Sequence, residues 1–501
     1  MKKTFILFTC FVLPSFLSAQ GKEGSTWILG YPPSIGFERS YIGGSLVKFK
    51  VTGTDTTKFN VDGDMSSSTS ISDENGDLLF YSNGCEMYNR EYQIMQNGNA
   101  IAAGESYDLS CTGVLGIKAY NEFQGIMSFP WPKHEGMFKS VYIFQPKPYK
   151  VKNEIHTATI DRNLDNGKGG VTDKNILEFE GRTAQWYMTA TRHGNGSDWW
   201  ITFPEWRTKN YLVFLLDSLG LHGPDIQAVG ALVGSGGYGQ SAFSPDGTKY
   251  AEICFFQGQV LDFDRCSGKF SNPRLINYDS TGGNNYAGVA FSPNSQYMYI
   301  SRSDSLYQFD MNASNFNDSR LTVAQYDGMP DSTFMKGSDF YTLLTAPDDK
   351  IYICPLQSKA LHIIHQPNER GALCGFQKWG LELPTIHYGQ LPNLPNFKLG
   401  ALDPPCSSMG CDTLPQTEDF FLFPNPATDY VVISNKKSNL GGALTFQLYD
   451  ALGRLLIEET LDCLPHRIEL ADLPQAGYFY RVFSADNKRL TSGTLVKMSK
   501  N

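Results

Sequence analysis

Residues 241–264 read "SAFSPDGTKYAEICFFQGQVLDFD" and contain a complete turn-and-strand pattern. An apolar run leads into Ser-Pro-Asp-Gly, and a second run with alternating aromatic residues follows. Proline presets the backbone angle at the second turn position, and Asp, Asn and Gly accept the conformations that come next. The stretch therefore predicts two antiparallel strands joined by a tight turn, with a third strand after a short polar gap.

Two further stretches repeat this pattern, namely "VAFSPNSQYMYISRSDSLYQFD" (289–310) and "LLTAPDDKIYICPLQSKALHIIH" (343–365). Their turn prolines, Pro245, Pro293 and Pro347, are 48 and 54 residues apart. Weaker copies lie upstream, in "ENGDLLFYSNG" (74–84), "EGMFKSVYIF" (135–144) and "NGSDWWITF" (195–203). A period of about 50 residues with three or four short strands is typical of a β-propeller.

The predicted fold is therefore all-β, with a propeller in residues 20–405. At roughly 40–50 residues per blade, this length holds about seven blades, and six is the nearest alternative. The first and last blades match poorly, as expected if N-terminal strands complete a blade that begins near "LPNLPNFKLG" (391–400). An array of β-sandwiches is the competing architecture, but it does not readily give such evenly spaced Pro-Asp turns.

Length and composition agree with a β-rich chain of more than one domain. The 501 residues include 33 Phe, 26 Tyr and 48 Gly, which suits pleated sheets joined by tight turns. The formal net charge of −9 argues against binding to a nucleic-acid backbone, which needs a basic face. We therefore expect no nucleic-acid partner.

The N-terminus "MKKTFILFTCFVLPSFLSAQ" has two lysines, an apolar run and then small residues. This pattern is typical of a secretory signal peptide, here residues 1–19 with cleavage near Ala19. No later apolar stretch is long enough to cross a bilayer as a helix. The sequence thus predicts an exported protein without a transmembrane segment.

Nine cysteines follow the signal peptide, and eight of them precede residue 420. An oxidising compartment favours disulfides, and the simplest pairing joins sequential neighbours. That pairing is Cys85–Cys111, Cys254–Cys266, Cys354–Cys374 and Cys406–Cys411, with Cys463 left over. Metal ligation is the alternative, but the sequence has no CxxC motif and no Cys/His cluster at zinc spacing. We predict neither a metal nor another cofactor.

The pattern changes after a Cys- and Pro-rich break, "DPPCSSMGCDTLPQTED" (403–419), which predicts a linker at residues 406–419. Strand-like segments then alternate with Gly, Asn-Pro and Leu-Pro turns up to residue 501. This arrangement predicts a small, immunoglobulin-like antiparallel β-sandwich of about 80 residues, at 420–501.

Four motifs in this tail resemble the type A C-terminal sorting domain of the type IX secretion system of Bacteroidota. They are "FPNPATD" (423–429), "YDALGR" (449–454), "LPQAGYF" (473–479) and "LVK" (495–497). The matching positions are Pro424, Asn425, Pro426, Asp450, Gly453, Arg454, Gly477, Tyr478 and Lys497. The resemblance implies export by the secretion machinery, removal of the tail by a sortase-like protease and attachment to surface lipopolysaccharide.

The large domain also resembles secreted proteins of the same bacteria. The shared segments are "GDLLFYSNG" (76–84) and "HGNGSDWW" (193–200). This resemblance implies no activity.

The most suggestive candidate for ligand binding is "RHGNGSDWW" (192–200). Histidine is a common proton-transfer group, so His193 is a candidate contact that Asp198 could orient, and Trp199 or Trp200 could stack on a sugar ring. The alternative is structural: an Asn-Gly turn that enters a strand, with one tryptophan buried and the histidine capping the turn. His156, His362, His365 and His387 are predicted to be structural, and "DENGD" (73–77) to be a β-turn rather than a calcium loop.

Three functions remain open at this stage. The first is a non-catalytic module that recognises a glycan or protein ligand through its rim or central funnel. The second is a polysaccharide hydrolase or lyase, although no GxSxG, HExxH, P-loop or dinucleotide motif is present and no catalytic residue is predicted. The third is a structural or adhesion component of the cell surface.

Overall fold

The computed structural model divides the chain into two compact units, Met1–Leu402 and Asp403–Asn501. It describes residues 21–31, 43–59, 65, 67–112, 120, 123–147, 152–184, 186–232, 239–254, 257–276, 287–328, 339–406, 420–435, 444–461, 464, 466–484 and 489–498. The predicted signal peptide and most of the predicted linker lie outside these residues.

The described strands of the first unit form seven antiparallel sheets, which follow one another along the chain. Sheets 1 and 2 have three strands each: β1 (Thr26–Tyr31), β2 (Gly43–Lys50) and β3 (Gly53–Phe59), then β4 (Thr69–Ser72), β5 (Leu78–Ser82) and β6 (Met87–Asn89). Sheets 3 and 4 have four: β7 (Ile126–Pro130), β8 (Met137–Phe144), β9 (Asn153–Asp161) and β10 (Gly170–Gly181), then β11 (Thr189–Arg192), β12 (Trp199–Pro204), β13 (Asn210–Asp217) and β14 (Gly220–Ala228).

The last three sheets have four strands each and contain the three clear sequence repeats. Sheet 5 is β15 (Gln240–Phe243), β16 (Lys249–Ile253), β17 (Gly258–Asp264) and β18 (Lys269–Ile276). Sheet 6 is β19 (Ala287–Phe291), β20 (Tyr297–Arg302), β21 (Ser305–Asp310) and β22 (Leu321–Gln325). Sheet 7 is β23 (Leu343–Thr345), β24 (Ile351–Ile353), β25 (Ser358–Ile364) and β26 (Phe376–His387).

Helical structure among the described residues is short. It comprises α1 (Glu105–Ser110), α2 (Leu164–Gly167) and 3₁₀ turns at Phe316–Ser319 and Gly371–Cys374. The all-β prediction is confirmed.

The repeated Pro-containing turns have the geometry that the sequence predicted. The N–H groups of Gly247, Ser295 and Asp349 donate to the carbonyls three residues earlier at 2.7, 2.7 and 3.0 Å. All three residues have a positive φ, of 73, 60 and 62°. The same hydrogen bond closes the turns at Gly76 and Gly196, at 2.9 Å each. The "DENGD" segment is therefore a β-turn.

Several neighbouring sheets contact one another through the strands at their starts. Ser70 Oγ of β4 donates to Thr26 O of β1 at 2.6 Å, and Ser128 N of β7 donates to the Thr69 hydroxyl at 3.1 Å. Between sheets 5 and 6, Val289 N donates to the side-chain oxygen of Gln240 at 3.2 Å. The first and seventh sheets also meet, since the Ser45 and Thr385 hydroxyl oxygens lie 2.6 Å apart.

Residues 388–402, here called the central segment, hydrogen-bond to residues that flank the starting strands of several sheets. Asn393 N donates to Ser68 O at 2.8 Å, and the Asn393 amide donates to Met188 O at 3.1 Å. The Asn396 amide then donates to Pro245 O at 2.9 Å. This segment has no strand, so our expectation that it begins a shared blade near residues 391–400 was wrong. Its prolines have no N–H to donate to the hydrogen-bond ladder of a sheet. The side chains of Asn393 and Asn396 hydrogen-bond to other parts of the unit instead.

The described residues of the second unit form two antiparallel sheets over a shared apolar core. One sheet holds β27 (Phe420–Phe423), β28 (Tyr430–Asn435) and β31 (His466–Glu469). The other holds β29 (Leu444–Tyr449), β30 (Leu455–Leu461), β32 (Gly477–Phe483) and β33 (Arg489–Val496), with β30 and β33 at its edges. Along β32, Tyr478, Tyr480 and Val482 face the core. This alternation is what the sequence pattern predicted.

The disulfide prediction is correct for one pair and wrong for two. Cys85 and Cys111 are bonded, and Cys266 and Cys406 also take part in disulfides. Cys254, Cys354 and Cys374 are instead buried thiols, so the pairs Cys254–Cys266 and Cys354–Cys374 do not exist. These three side chains fill apolar positions between strands, where cysteine packs as a small hydrophobic residue. Cys411 and Cys463 lie outside the described residues.

Candidate functional site

The turn at 193–198 is held by its own side chains. Asn195 N donates to His193 Nδ1 at 2.9 Å, and the other ring nitrogen, Nε2, lies 3.1 Å from Cys266 O. The Asn195 amide donates to the Asp198 carboxylate at 2.6 Å. His193 and Asp198 are thus both engaged in the turn, and each remains half-buried.

The two adjacent tryptophans occupy different environments, as strand alternation requires. Trp199 is fully buried, with the Phe129 ring at 5.3 Å and the Phe397 ring at 5.8 Å. Trp200 is half-buried and donates its indole N–H to Arg265 O at 2.8 Å. Of this pair, only Trp200 retains a solvent-accessible part. Whether residues 193–200 bind a ligand stays a prediction.

Two buried arginines tie this turn to the central segment. Arg192 donates to Gly196 O at 3.2 Å and to Phe397 O at 3.5 Å. Burial lowers its pKa to about 10, so it remains charged at neutral pH. Arg265 donates to Arg192 O at 2.9 Å and also to Gly400 O. Backbone carbonyls therefore supply most of the partners of both guanidinium groups.

Gly196 explains why this turn needs glycine. Its φ is +75°, and a Cβ there would lie 2.6 Å from the backbone nitrogen of Ala401. Both the left-handed backbone and the close approach of the central segment exclude a side chain.

The three prolines that define the sequence repeat converge on one cavity of about 350 Å³, here called the repeat cavity. Pro245, Pro293 and Pro347 all contribute to its lining. The central segment supplies another part of the wall, from Leu394 to Gly400. The prolines were visible in the sequence, but their convergence depends on the packing of sheets 5, 6 and 7.

The wall of the repeat cavity is mainly apolar. Half-buried Phe243, Leu344 and Leu399 contribute, together with the buried residues Ala290 and Leu343. Trp27 also lines it, and its buried indole nitrogen has no hydrogen-bond partner among the described residues. Sequence reasoning did not identify Trp27, because no local pattern distinguishes it from an ordinary core tryptophan.

The charged groups in this lining neutralise each other. Lys398 Nζ lies 2.8 Å from an Asp349 carboxylate oxygen and also donates to Pro347 O at 2.8 Å. Asp349 is the single carboxylate among the described lining residues. The arrangement suits binding of an uncharged group better than acid–base chemistry, which uses paired carboxylates.

A second, more open depression of about 630 Å³ lies beside the "FPWPKHEGMF" loop (129–138). The Trp131 ring stacks on His134 with centroids 3.8 Å apart, and Lys139 Nζ lies 4.3 Å from the Trp131 ring centre. The indole N–H donates to Asp217 O at 3.0 Å. Trp131 is thus covered on its ring faces and hydrogen-bonded at its edge, so it offers little for stacking.

Several buried ionisable groups lie outside both cavities. His362 and His387 of sheet 7 are almost fully buried, and burial lowers the pKa of each to about 4. Glu252 of sheet 5 is also buried, which raises the pKa of its carboxyl group. It accepts hydrogen bonds from Tyr211, Tyr250 and Gln259. Among the described residues, no group of three or more His, Cys, Asp or Glu side chains is placed to hold a metal ion.

In the second unit, the tail motifs meet at the last strand. The Asn425 amide donates to Thr494 O at 2.9 Å, and Val496 N donates to Asn425 Oδ1 at 3.0 Å. Lys497 N donates to Ala476 O at 2.9 Å, which joins the third and fourth motifs. Pro424 and Pro426 flank Asn425 and both follow cis peptide bonds.

The second motif forms a tight turn. Asp450 accepts hydrogen bonds from Leu452 N and Arg454 N at 2.9 Å each, and from Arg454 Nε at 2.6 Å. Gly453 has a φ of +79°, which this turn requires. Beyond it, Tyr478 follows Gly477 and donates its hydroxyl to Pro474 O.

The sequence of this unit matches the family described as "Secretion system C-terminal sorting domain" over residues 421–497. Residues 421–497 are a type IX sorting domain. The resemblance drawn from the four motifs is confirmed. The sorting domain directs the protein to the cell surface or the exterior, and it implies interaction with the type IX secretion machinery.

Comparisons of the whole chain add distant structural likenesses. One is a candidate 6-phosphogluconolactonase from Bacteroides uniformis ATCC 8492, with 12% identity and a TM-score of 0.42, covering 73% of this chain and 98% of the other. A Lactobacillus plantarum protein has 12% identity and a TM-score of 0.41, with coverages of 74% and 97%. PorZ, a surface component of the type IX secretion system of Porphyromonas gingivalis, has 11% identity, a TM-score of 0.28 and coverages of 91% and 68%.

At these TM-scores the likenesses carry no argument about function. No curated protein sequence matches the chain. Within the described residues, no helix has the length and apolarity needed to cross a membrane.

Proposed function

We propose that residues 21–402 form a seven-bladed β-propeller that acts as a recognition module and binds its ligand in the repeat cavity. The succession of seven sheets and the contact between Ser45 of the first and Thr385 of the seventh support a closed ring. The central segment, which contacts residues that flank the starting strands of several sheets, fits a chain that fills the axis of such a ring.

The observation that carries the binding function is the convergence of Pro245, Pro293 and Pro347 on a 350 Å³ cavity. Ligand pockets are typically apolar concavities of about 300–1,000 Å³ with a few polar groups. The repeat cavity has this size and character. Because its one described carboxylate, Asp349, is paired with Lys398, recognition is favoured over hydrolysis.

Two screens of the intact mature protein test this function. One measures binding to a glycan array and to a panel of cell-surface proteins, and the other detects released products by mass spectrometry. We expect binding without turnover. Release of products from a polysaccharide would instead establish the hydrolase or lyase alternative. Neither binding nor product release would favour a structural or adhesion role.

A pair of variants assigns any binding to the repeat cavity. Leu344→Trp places a bulky side chain in the repeat cavity and should abolish ligand binding. Leu373→Trp adds the same side chain at an exposed position outside that lining and should have no effect. His193→Ala tests the alternative surface at 193–200, where His193, Asp198 and Trp200 would make the contacts. If only His193→Ala lost ligand binding, the binding site would be the turn at 193–200 and not the repeat cavity.

The second part of the proposed function is attachment of the protein to the cell surface. A sortase-like protease removes the sorting domain, and the new C-terminus is joined to surface lipopolysaccharide. Mass spectrometry of the mature protein from the source bacterium should find a C-terminus between residues 402 and 421. Recovery of peptides from 421–497 in the surface-attached form would contradict this step.

A further inference from the structure

Two threonine hydroxyls in the wall of the repeat cavity are available to a ligand. Thr189 and Thr191 of β11 both line the cavity, and the two residues are 6% and 2% exposed. Neither hydroxyl has a hydrogen-bond partner among the described residues, and neither oxygen is fully buried. Each hydroxyl can donate one hydrogen bond and accept two. The wall therefore offers two polar contacts that the fold itself does not use.

The backbone places both hydroxyls on one side of β11. Positions 189 and 191 are two residues apart on a strand, so their side chains point the same way, about 6.6 Å apart. The intervening Ala190 packs in the apolar core on the other side. A Cβ added to Gly247 would lie 2.6 Å from the Thr191 hydroxyl oxygen. This oxygen therefore lies beside the turn of Pro245, which lines the cavity as well.

The opposite character is found in the rest of the wall, which is flat and apolar. Pro245, Pro293 and Pro347 contribute aliphatic rings, and Phe243 and Leu344 contribute an aromatic and a branched side chain. A pyranose ring has the same division, with C–H groups on its faces and hydroxyls around its edge. Binding pockets commonly combine such an apolar lining with a few polar groups that fix the orientation of the ligand.

The charges of the wall favour a neutral ligand. Lys398 and Asp349 are the cation and the anion among the described lining residues, and their charged atoms lie 2.8 Å apart. Their side chains are 46% and 66% exposed, so the pair lies on the solvent side of the cavity. A charged ligand would have to compete with this pair, whereas a neutral ligand leaves it intact.

The volume of the cavity fits one sugar ring. A dry cavity of about 150 Å³ holds benzene, which has six heavy atoms. A hexopyranose has twelve heavy atoms and needs roughly 300 Å³ on the same scale. A disaccharide needs nearly twice as much. The 350 Å³ repeat cavity therefore has room for a single unit.

We propose that the repeat cavity binds one neutral hexopyranose ring, whose hydroxyls hydrogen-bond to Thr189 and Thr191 while a C–H face of the ring lies on the apolar wall. This proposal rests on the proposed recognition function and names its ligand. The ring is a free sugar or the terminal unit of a glycan, because an internal unit brings a neighbour on each side.

Methyl glycosides test the ligand class. The probes are methyl β-D-glucopyranoside, methyl β-D-galactopyranoside and methyl α-D-mannopyranoside, titrated calorimetrically into the intact mature protein. At least one should bind at a single site. 2-Methoxytetrahydropyran has the same ring and methoxy group without hydroxyls, so it should bind about 25-fold more weakly than the best glycoside, as two net hydrogen bonds are lost. Equal or tighter binding of this probe would overturn the role of the threonines.

Two variants isolate the hydroxyls. Thr189→Val and Thr191→Val keep the branched shape and remove the oxygen, so each should weaken binding of the best glycoside about fivefold, which corresponds to one net hydrogen bond. Thr202→Val is the control, because Thr202 pairs with Thr189 on the neighbouring strand but does not line the cavity. It should retain the parent affinity. Parent affinity in both cavity variants would contradict the assignment.

Thermal unfolding of the ligand-free variants separates a binding role from a structural one. Because neither hydroxyl has a partner among the described residues, its replacement by a methyl group should leave the melting temperature unchanged or slightly higher. If both variants lost affinity and melted at a lower temperature than Thr202→Val, the hydroxyls would support the fold and the proposed contacts would be wrong.

An oligosaccharide that ends in the preferred sugar identifies the source of the ring. An affinity equal to that of the methyl glycoside would assign the site to the terminal unit of a glycan. Binding of the methyl glycoside alone would assign it to a free sugar, because the mouth would then exclude a longer chain.

The same titrations distinguish failure of this proposal from failure of the proposed function. If a ligand from the binding screens is lost in Leu344→Trp but no methyl glycoside binds the parent protein, the cavity is a recognition site and the hexopyranose proposal is wrong. If neither the screens nor the methyl glycosides give binding, both proposals are wrong.

Discussion

The guanidinium carbon of Arg192 lies 4.0 Å from the centre of the Trp199 ring. The same guanidinium group donates to Gly196 O and Phe397 O, so it joins sheet 4, its entry turn and the central segment. A planar, buried cation with several donors is well suited to such a junction, whereas lysine cannot reproduce the geometry.

Arg192→Lys should therefore lower the free energy of unfolding by about 2 kcal/mol, through loss of the stacking and of a carbonyl contact. Urea denaturation measures the change. Arg207→Lys is the matched control, since Arg207 lies 4.3 Å from the Trp206 ring centre but is exposed. Equal effects of the two substitutions would show that burial of Arg192 contributes nothing.

Stability should fall in acid because His362 and His387 are buried in neutral form. Each has a folded pKa of about 4, below the unfolded value of 6.5. Their contribution is fully present above pH 6.5 and is lost as the pH falls toward 4, by about 3 kcal/mol per histidine. His387 Nδ1 accepts from Gly389 N at 3.1 Å and lies 3.5 Å from Cys354 Sγ.

Denaturation curves of His362→Gln and His387→Gln between pH 4 and 7 should each show a shallower pH dependence than the parent protein. His365→Gln is the control, because His365 is partly exposed and contacts Gln377. A slope unchanged in both buried-site variants would contradict the neutral state of these histidines.

Glu252 should have the opposite effect on the pH dependence of stability, because its contribution is lost as the pH rises. Burial raises its folded pKa above the ordinary 4.5, so its contribution to stability is present below about pH 4.5 and is lost as the pH rises through the folded pKa. Glu252→Gln keeps the shape and removes the ionisation. At pH 8 we expect it to raise the free energy of unfolding by about 1–3 kcal/mol.

Glu105→Gln provides the comparison for Glu252. Its carboxylate is exposed and forms a surface ion pair with Lys147 at 2.9 Å. Such pairs contribute little, so the free energy of unfolding should change by less than about 1 kcal/mol. Destabilisation by Glu252→Gln at pH 8 would mean that an ionised carboxylate is required at that position.

The central segment should be essential for the first unit. A fragment of residues 21–406 should unfold in one cooperative transition, whereas a fragment of residues 21–387 should lose at least about 3 kcal/mol. The physical reason is the loss of Phe397, which packs against Trp199, together with the Asn393 hydrogen bonds. Calorimetry distinguishes the two fragments, and equal melting temperatures would show that residues 388–402 are dispensable.

Asn425→Ala should weaken the sorting domain by about 1–2 kcal/mol, because it removes two hydrogen bonds to the last strand. Export should fall accordingly, as measured by the ratio of precursor to mature protein in the source bacterium. Gln447→Ala is the control, since the Gln447 amide donates to the exposed Glu458 side chain at 2.6 Å and accepts from the Tyr449 hydroxyl, so neither hydrogen bond reaches the last strand. Normal export of Asn425→Ala would show that the hydrogen bonds of Asn425 are not required for secretion.

Local chemistry made much of this fold predictable. The turns at Pro245, Pro293 and Pro347 are fixed by neighbouring residues, so their spacing revealed both the strands and the repeat. The sorting domain was recognised for the same reason, since its four motifs are short and ordered along the chain. The placement of Trp199 and Trp200 on opposite sides of one strand also followed from alternation.

Features that depend on distant contacts were not predictable. The central segment has no periodic pattern, because Asn393 and Asn396 bond to carbonyls of other sheets. The thiols of Cys354 and Cys374 look like disulfide partners in sequence, yet sheet packing buries them separately. The Trp27 N–H lacks a partner in the described part of the chain, and this became evident only from its three-dimensional surroundings.

The position of the central segment also sets the timing of folding during synthesis. Residues 388–402 are the last part of the first unit to leave the ribosome, and they contact strands that were made more than 300 residues earlier, such as Ser68. The first unit therefore cannot reach its final packing while the chain is still short of residue 402. Because the sorting domain follows this segment, a chain that ends before residue 402 lacks both the final packing of the first unit and the sorting domain.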